Sequence, residues 1–390
     1  MKKVGNSFKG ILGGIIAVII GIVLLWWNEG NNVRNIKTTN EMSKSVIDID
    51  SSKVDAANEG KLVATHGKLV NEETLSDSTF GVSLVTPKLV RTVEVYQWVE
   101  KEHDDSDGYT TYSYEKEWTS ELIDSSNFNK SGHDNPTSKP YENTAQYSSE
   151  VLVGAFQLSS NQVTMLSTDG VFTDYSTETI EGLGYKTIGN YITNSQDYDN
   201  PSIGDVRITF TYNNSTEVSV LAVQSGNTFV DFVSKVGKTE NRVVDGTHSG
   251  AEMINTIVQE NKIIKWLLRL VGTILCIAGI AALFKPLTTL ANFVPILGGL
   301  VNMAVGLVAL VVGLAISLVV IAIAWIRFRP LVGIGLLIVV AGLVFFLIKK
   351  KKSGTPVTPT QEGVTPMQPQ EPTEPQQPQE PQNNDNNQMM

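Results

Sequence analysis

Apolar residues gather in two stretches of the chain, residues 11–27 and residues 267–348, and the long segment between them is polar. The first stretch carries no charge and extends back through Gly10, giving the roughly 17 to 20 residues that a bilayer core requires of a helix. Lys2, Lys3 and Lys9 precede it, and Trp26 and Trp27 end it, where amphipathic rings favour the headgroup layer. The pattern predicts an anchor helix over residues 10–27 with residues 1–9 on the cytoplasmic side. A cleaved signal peptide is the rival reading, but Leu24-Leu25-Trp26-Trp27 lacks the small residues of a cleavage site.

The second stretch divides at its charges and prolines. A span over residues 263–284 stops at Lys285-Pro286, a charge beside a helix breaker. Residues 287–326 follow with no charge at all, too long for one perpendicular crossing. Pro295, Gly298 and Gly299 interrupt this region early, so it reads as an interfacial or re-entrant piece over residues 287–297 and a third span near residues 304–325. A fourth span over residues 331–348 is closed by Lys349, Lys350, Lys351 and Lys352. Basic residues at both ends call for the same, cytoplasmic side, hence an even number of spans, with five as the alternative. Lys265, Arg269, Arg327 and Arg329 resist this scheme, because they fall on the opposite side.

Between the spans, residues 28–262 are expected to form a β-rich α+β domain on the extracytoplasmic or lumenal side. Arg207-Ile208-Thr209-Phe210-Thr211-Tyr212 alternates apolar and polar, and residues 218–223 follow after Asn213-Asn214, which predicts a hairpin. A second hairpin is expected from residues 89–102 and 109–118, joined by Asp104-Asp105-Ser106-Asp107-Gly108. Residues 246–262 read as a helix leading into the membrane. The fold class is therefore a multi-pass α-helical membrane protein of four spans with a large β-rich domain inserted between spans 1 and 2. Residues 353–390 are rich in Pro, Gln, Glu and Asn, with no aromatic residue, and read as a disordered cytoplasmic tail serving as a spacer.

Composition narrows the chemistry. The net charge of -10 and the lack of a basic stripe argue against nucleic acid. The single cysteine, Cys276, lies in an apolar run, so no disulfide can form within the polar domain, and no charge beside it would generate a thiolate. His66, His103, His133 and His248 are too scattered for a zinc site. Gly182-Leu183-Gly184-Tyr185-Lys186-Thr187 has the wrong spacing for a phosphate loop and reads as a turn. His103 to Gly108 resembles part of a calcium loop, but His103 and Tyr114 occupy the first and twelfth ligand positions, which favours a solvated turn. No catalytic, cofactor or metal residue is expected. Small residues at Gly10, Gly14, Gly21, Ala309, Gly313 and Ser317, together with the intramembrane Asn302, are candidates for helix packing.

The order of several short sequences resembles the transmembrane protein 43 (LUMA) family over nearly the whole chain except the tail. They are Ser7-Phe8-Lys9-Gly10, Asn28-Glu29-Gly30, Glu94-Val95-Tyr96-Gln97-Trp98, Glu117-Trp118, Asn135-Pro136 and Gly204-Asp205-Val206-Arg207. Ala251-Glu252-Met253, Trp266-Leu267-Leu268-Arg269 with Gly272, and Arg329-Pro330 complete the series. The resemblance implies four spans, both termini on the cytoplasmic or nucleoplasmic side, and no catalytic residues. It also implies endoplasmic reticulum and inner nuclear membrane placement for a eukaryotic member, with self-association and organisation of complexes with lamins and emerin. For a bacterial member it implies the plasma membrane and no settled activity. The Pro/Gln tail departs from the family's usual short basic end.

The function expected on these grounds is a non-enzymatic membrane organiser that forms a homo-oligomer in the lipid bilayer and holds other membrane proteins. A channel or transporter is the alternative, motivated by Asn292, Asn302 and the Gly298-Gly299 break. A membrane-tethered enzyme using carboxylates such as Asp104, Asp105 or Glu115 is the weaker one.

Overall fold

The computed structural model describes residues 2–104, 110–291, 295–331, 335 and 338. Six α-helices occur among them: α1 (Lys2–Ser45), α2 (Ser160–Met165), α3 (Thr177–Gly182), α4 (Gly250–Leu283), α5 (Lys285–Ala291) and α6 (Pro295–Phe328). Three of these, α1, α4 and α6, are long and apolar enough to cross a membrane. The remaining strands build a large β-rich domain in the chain between α1 and α4. The expected fourth span, the Pro/Gln tail, Asn292 and most of the acidic turn at 103–108 lie outside the described residues.

The first helix does not stop at Trp27. It runs on through eighteen polar and mixed residues to Ser45, so the β-domain starts later than residue 28. The reason lies in the buried positions of α1, Gly14, Gly21, Leu25, Asn28, Asn32, Asn35, Thr39 and Met42, which with the half-buried Val18 recur in alternating steps of four and three. That is the seven-residue repeat of a helix packed along a partner, and it keeps its phase from the apolar half into the polar half. The partner is α4, which starts in the β-domain rather than at the bilayer. Ser249 caps it, with the hydroxyl accepting from Glu252 N and the Glu252 carboxylate accepting from Ser249 N at 2.8 Å.

The third helix also starts earlier than expected, at Pro295 rather than near Ala304. A proline at the first helical position is unpenalised, because its missing N–H would have had no intrahelical acceptor there. The short helix α5 precedes it in place of a longer interfacial piece.

Two main sheets carry the β-domain. In one, Glu217–Ser225 lies antiparallel to Leu62–Asn71, with Val220 opposite Thr65, and Ile47–Asp48 adds parallel to the latter. In the other, Lys88–Asp104 is central: Val206–Tyr212 pairs with its first half, placing Ile208 opposite Val93. Thr110–Thr119 pairs with its second half from Val95↔Thr119 to Asp104↔Thr110, as the upstream hairpin reading expected.

The other expected hairpin is absent. Val206–Tyr212 and Glu217–Ser225 belong to different sheets, although only four residues separate them. Their burial explains this. Val206–Tyr212 alternates buried and half-buried positions and suits a sheet with one covered face, whereas residues 218–222 are buried without a break. Val218, Val220 and Ala222 face a core with Phe156 and Phe229, and Leu221 faces a second core with Met42, Met253, Ile254 and Ile257 from α1 and α4. A strand covered on both faces must sit where the helices reach it. Asn213 holds the crossing between sheets: its carbonyl accepts from Thr86 Oγ1 at 2.9 Å, and its amide donates to the Ser167 carbonyl at 3.1 Å.

Candidate functional site at the junction of helices and β-domain

In the apolar half of the α1–α4 pair, glycines let the two backbones meet. A Cβ on Gly14 would lie 2.7 Å from the Gly279 carbonyl oxygen, and one on Gly279 would lie 2.7 Å from the Gly14 carbonyl oxygen. Seven residues along, a Cβ on Gly21 would sit 2.8 Å from Cys276 Sγ and 2.9 Å from the Gly272 carbonyl oxygen. Leu25 covers Gly272, and Leu25, Cys276 and Val320 of α6 form one buried cluster. Helices in lipid gain nothing by hiding apolar surface from each other, so close backbone approach supplies the packing that holds them.

In the polar half the same seam is held by hydrogen bonds. The Asn28 amide donates to the Lys265 carbonyl at 3.1 Å, and the Asn35 amide donates to the Asn261 side chain. Lys238 Nζ donates to Asn35 Oδ1 at 2.5 Å, Thr38 Oγ1 donates to Ser234 Oγ at 2.9 Å, and Glu41 accepts from Lys235 N at 3.0 Å. Ser234, Lys235 and Lys238 belong to the small hairpin of Phe232–Val233 and Thr239–Glu240, which thereby clamps α1 to the β-domain. Burial pushes the Glu240 carboxyl up from its ordinary value, against the opposing pull of Arg242 and Lys238.

Where the halves meet, a buried ion pair joins all three long helices. Glu29 of α1 is 1% exposed, and its carboxylate accepts from Arg269 of α4 at 2.7 Å through Nε and 2.6 Å through Nη2. Its other oxygen accepts from Trp325 Nε1 of α6 at 2.9 Å. The Arg269 guanidinium lies 4.8 Å over Trp266 and 5.8 Å over Trp325. Trp26 packs on Phe328 at 5.3 Å between ring centroids, and Phe328 also covers Gly30. Tryptophans at 26, 27, 266 and 325 thus share one level with the ion pair, the depth at which indole rings settle between water and hydrocarbon. A buried carboxylate is costly unless hydrogen-bond donors meet it, and here two N–H groups of Arg269 and the Trp325 indole N–H do so.

The sequence-derived candidates fall in two groups. Gly14 and Gly21 lie in the α1–α4 seam, and Gly10 is covered by Lys285. On α6, Gly313 packs on Ile277, Ala309 is buried, and the buried Ser317 hydroxyl turns back to the Gly313 carbonyl at 2.8 Å. Asn302 is half-buried on α6 away from these contacts. Lys2, Lys3 and Lys9 fall in the first turns of α1, while Lys349, Lys350, Lys351 and Lys352 lie outside the described residues.

The chemical candidates do not converge. Glu115 shares Lys101 with Glu117, His103 bonds Ser113 Oγ at 2.8 Å, His133 stacks on Tyr114, and His248 meets the Asp245 carbonyl. Among the described residues no three His, Cys, Asp or Glu side chains form a group that could hold a metal. Sequence reasoning missed Glu29, Arg269 and Trp325 as partners, together with the asparagine ladder. The signal for the ladder was present: the four-three spacing from Gly14 continues unbroken to Met42.

A family model described as Transmembrane protein 43 matches residues 95–330. The Homo sapiens protein named Transmembrane protein 43 is 30% identical over 352 residues, covering 85% of this chain and 87% of its own length. The Drosophila melanogaster protein named Transmembrane protein 43 homolog is 30% identical over 349 residues, covering 84% of this chain and 91% of its own. No solved structure matches. The match of the family model to more than half of the sequence, from residue 95 within the central strand through α4 and α6, places this integral membrane protein in the transmembrane protein 43 family.

Proposed function

We propose that the protein is a non-enzymatic membrane organiser: its helices anchor and orient the β-domain, which presents strands and loops to other membrane proteins. The observation that carries this reading is the continuous α1–α4 seam, tied at the bilayer boundary by Glu29, Arg269 and Trp325. Two long helices rigidly joined across the boundary fix the β-domain at a set height and orientation, as a scaffold requires. The β-domain faces the lumen or the outside, and both chain ends face the cytoplasm. In a eukaryotic cell it would sit in the endoplasmic reticulum and inner nuclear membrane and organise envelope complexes; in a bacterium it would sit in the plasma membrane.

Self-association belongs to the same reading. Gly14, Gly21 and Gly313 are covered within the chain, so copies would meet through the exposed apolar faces of α1 and α6. Crosslinking followed by native mass spectrometry in mild detergent tests this. Oligomers or stable co-purifying membrane proteins are expected, and a strictly monomeric protein without partners would overturn the proposal.

A further inference from the structure

Three of the basic residues that resisted the topology scheme, Lys265, Arg269 and Arg329, converge at the tryptophan level. Lys265 has Arg269, Arg329 and Lys262 as like-charged neighbours and Glu29 as the opposite one. Glu29 is already taken by Arg269. Lys262 is exposed, Lys265 and Arg329 are half-buried, and among the described residues none of the three has an ion-pair partner. Three cations without counterions at the edge of hydrocarbon repel one another and are costly to keep there unless something anionic joins them.

Beside them α4 carries an open apolar groove of about 500 Å³, lined by Gln259, Lys262, Ile263, Trp266, Leu267 and Leu270. The groove and the cation cluster share Lys262 and Trp266. Lys265 Nζ lies 5.5 Å over the Trp266 ring, and Arg269 lies over the same ring. From Gln259 to Leu270 the lining passes from polar to fully apolar down one face of the helix, with the charges at its top. A phospholipid has that polarity, a charged head above acyl chains.

The geometry points to a binding site for an anionic phospholipid in the leaflet on the β-domain's side. Lys262, Lys265 and Arg329 hold its phosphate, and an acyl chain lies against Ile263, Trp266, Leu267 and Leu270. Charge complementarity selects the occupant: a zwitterionic lipid brings its own ammonium to a cluster that already has an excess of cations, whereas an anionic one neutralises it. This inference goes beyond the organiser reading and does not depend on it, since it needs only α4 and α6 in a bilayer.

The full-length protein in detergent, offered equal amounts of phosphatidylglycerol and phosphatidylcholine of matched chains, tests it by native mass spectrometry. Each basic group near an anionic headgroup is worth about fivefold, so wild type is expected to retain phosphatidylglycerol roughly 10- to 100-fold in preference. The K262Q/K265Q/R329Q variant, which keeps Glu29 and Arg269, is expected to lose that preference while unfolding at the wild-type temperature in phosphatidylcholine. Leu267→Asp, with the cations intact, is expected to weaken retention of both lipids. Glycerol phosphate, the headgroup without chains, is expected not to displace the lipid at equal concentration. Equal retention of the two lipids by wild type, an unchanged preference in the triple variant, displacement by glycerol phosphate, or a second protein chain bound in place of lipid would each overturn the proposal.

Discussion

The two halves of the α1–α4 pair share one seven-residue phase but hold together differently. Below Glu29 the seam is glycine against backbone, and above it the seam is asparagine and threonine against polar partners. The difference follows the solvent. In hydrocarbon, association has no hydrophobic gain and rests on contact, so glycines open the seam to the facing backbone and to Val18 and Leu25. Next to water, a buried amide that finds no partner loses its hydration without return; Asn28 and Asn35 find mates on α4 and so fix the register of the helices, whereas the Asn32 amide nitrogen is buried without a hydrogen-bond partner and the Thr39 hydroxyl turns back to its own helix. The ion pair stands where one regime gives way to the other.

Breaking the boundary should have the largest effect. Arg269→Leu leaves the Glu29 carboxylate buried beside a lone indole N–H, a loss of roughly 3–5 kcal/mol. Thermal unfolding in detergent should show the drop, and Glu29→Leu with Arg269→Leu should recover most of it. Within the lipid half, Gly279→Leu meets the Gly14 carbonyl at a distance no side chain tolerates, and overpacking of this kind costs about 1–3 kcal/mol or more. Gly21→Ala sharpens the same point, because its Cβ would lie 2.9 Å from the Gly272 carbonyl oxygen, and a smaller loss of the same kind is expected in thermal unfolding.

Within the polar half, Asn35→Ala removes the mate of both Asn261 and Lys238, and a loss of about 1–3 kcal/mol in chemical unfolding is expected. The smallest effect concerns pH. The folded value of Glu240 is raised by burial, so its neutral form supports the hairpin that clamps α1. That support is full below the unfolded value near 4.5 and is lost as pH rises through the higher folded value. Amide exchange at Lys235, whose N–H meets Glu41, should therefore quicken beyond its intrinsic rise as pH climbs above the unfolded value, and Glu240→Gln should abolish the excess.

Much of the architecture was legible in the sequence. Charge-free runs marked the crossing helices, and the Val, Tyr and Trp of residues 89–102 and 109–118 around an acidic turn marked the long hairpin. Composition misplaced the end of α1, because Asn28 onward looks like loop when polarity alone is read, although the helical phase persists. The run 213–216 looked like a hairpin turn because local turn chemistry cannot tell a reversal within a sheet from a crossing between sheets. The stretch of residues 218–223, apolar except at Ser219, held the distinguishing information. For the junction, Glu29 and Arg269 were visible as charges near span ends, but their pairing across 240 residues depends on the antiparallel approach of two helices, which no local pattern encodes.

The central claim is that α1 continues beyond the bilayer packed along α4. Cysteines at Asn35→Cys and Asn261→Cys, in a Cys276→Ala background, probe it with a short thiol crosslinker on the full-length protein in membranes. An intrachain crosslink formed in high yield is the expected result. Both thiols reacting singly, with no intrachain crosslink, would mean that the polar half of α1 does not follow α4.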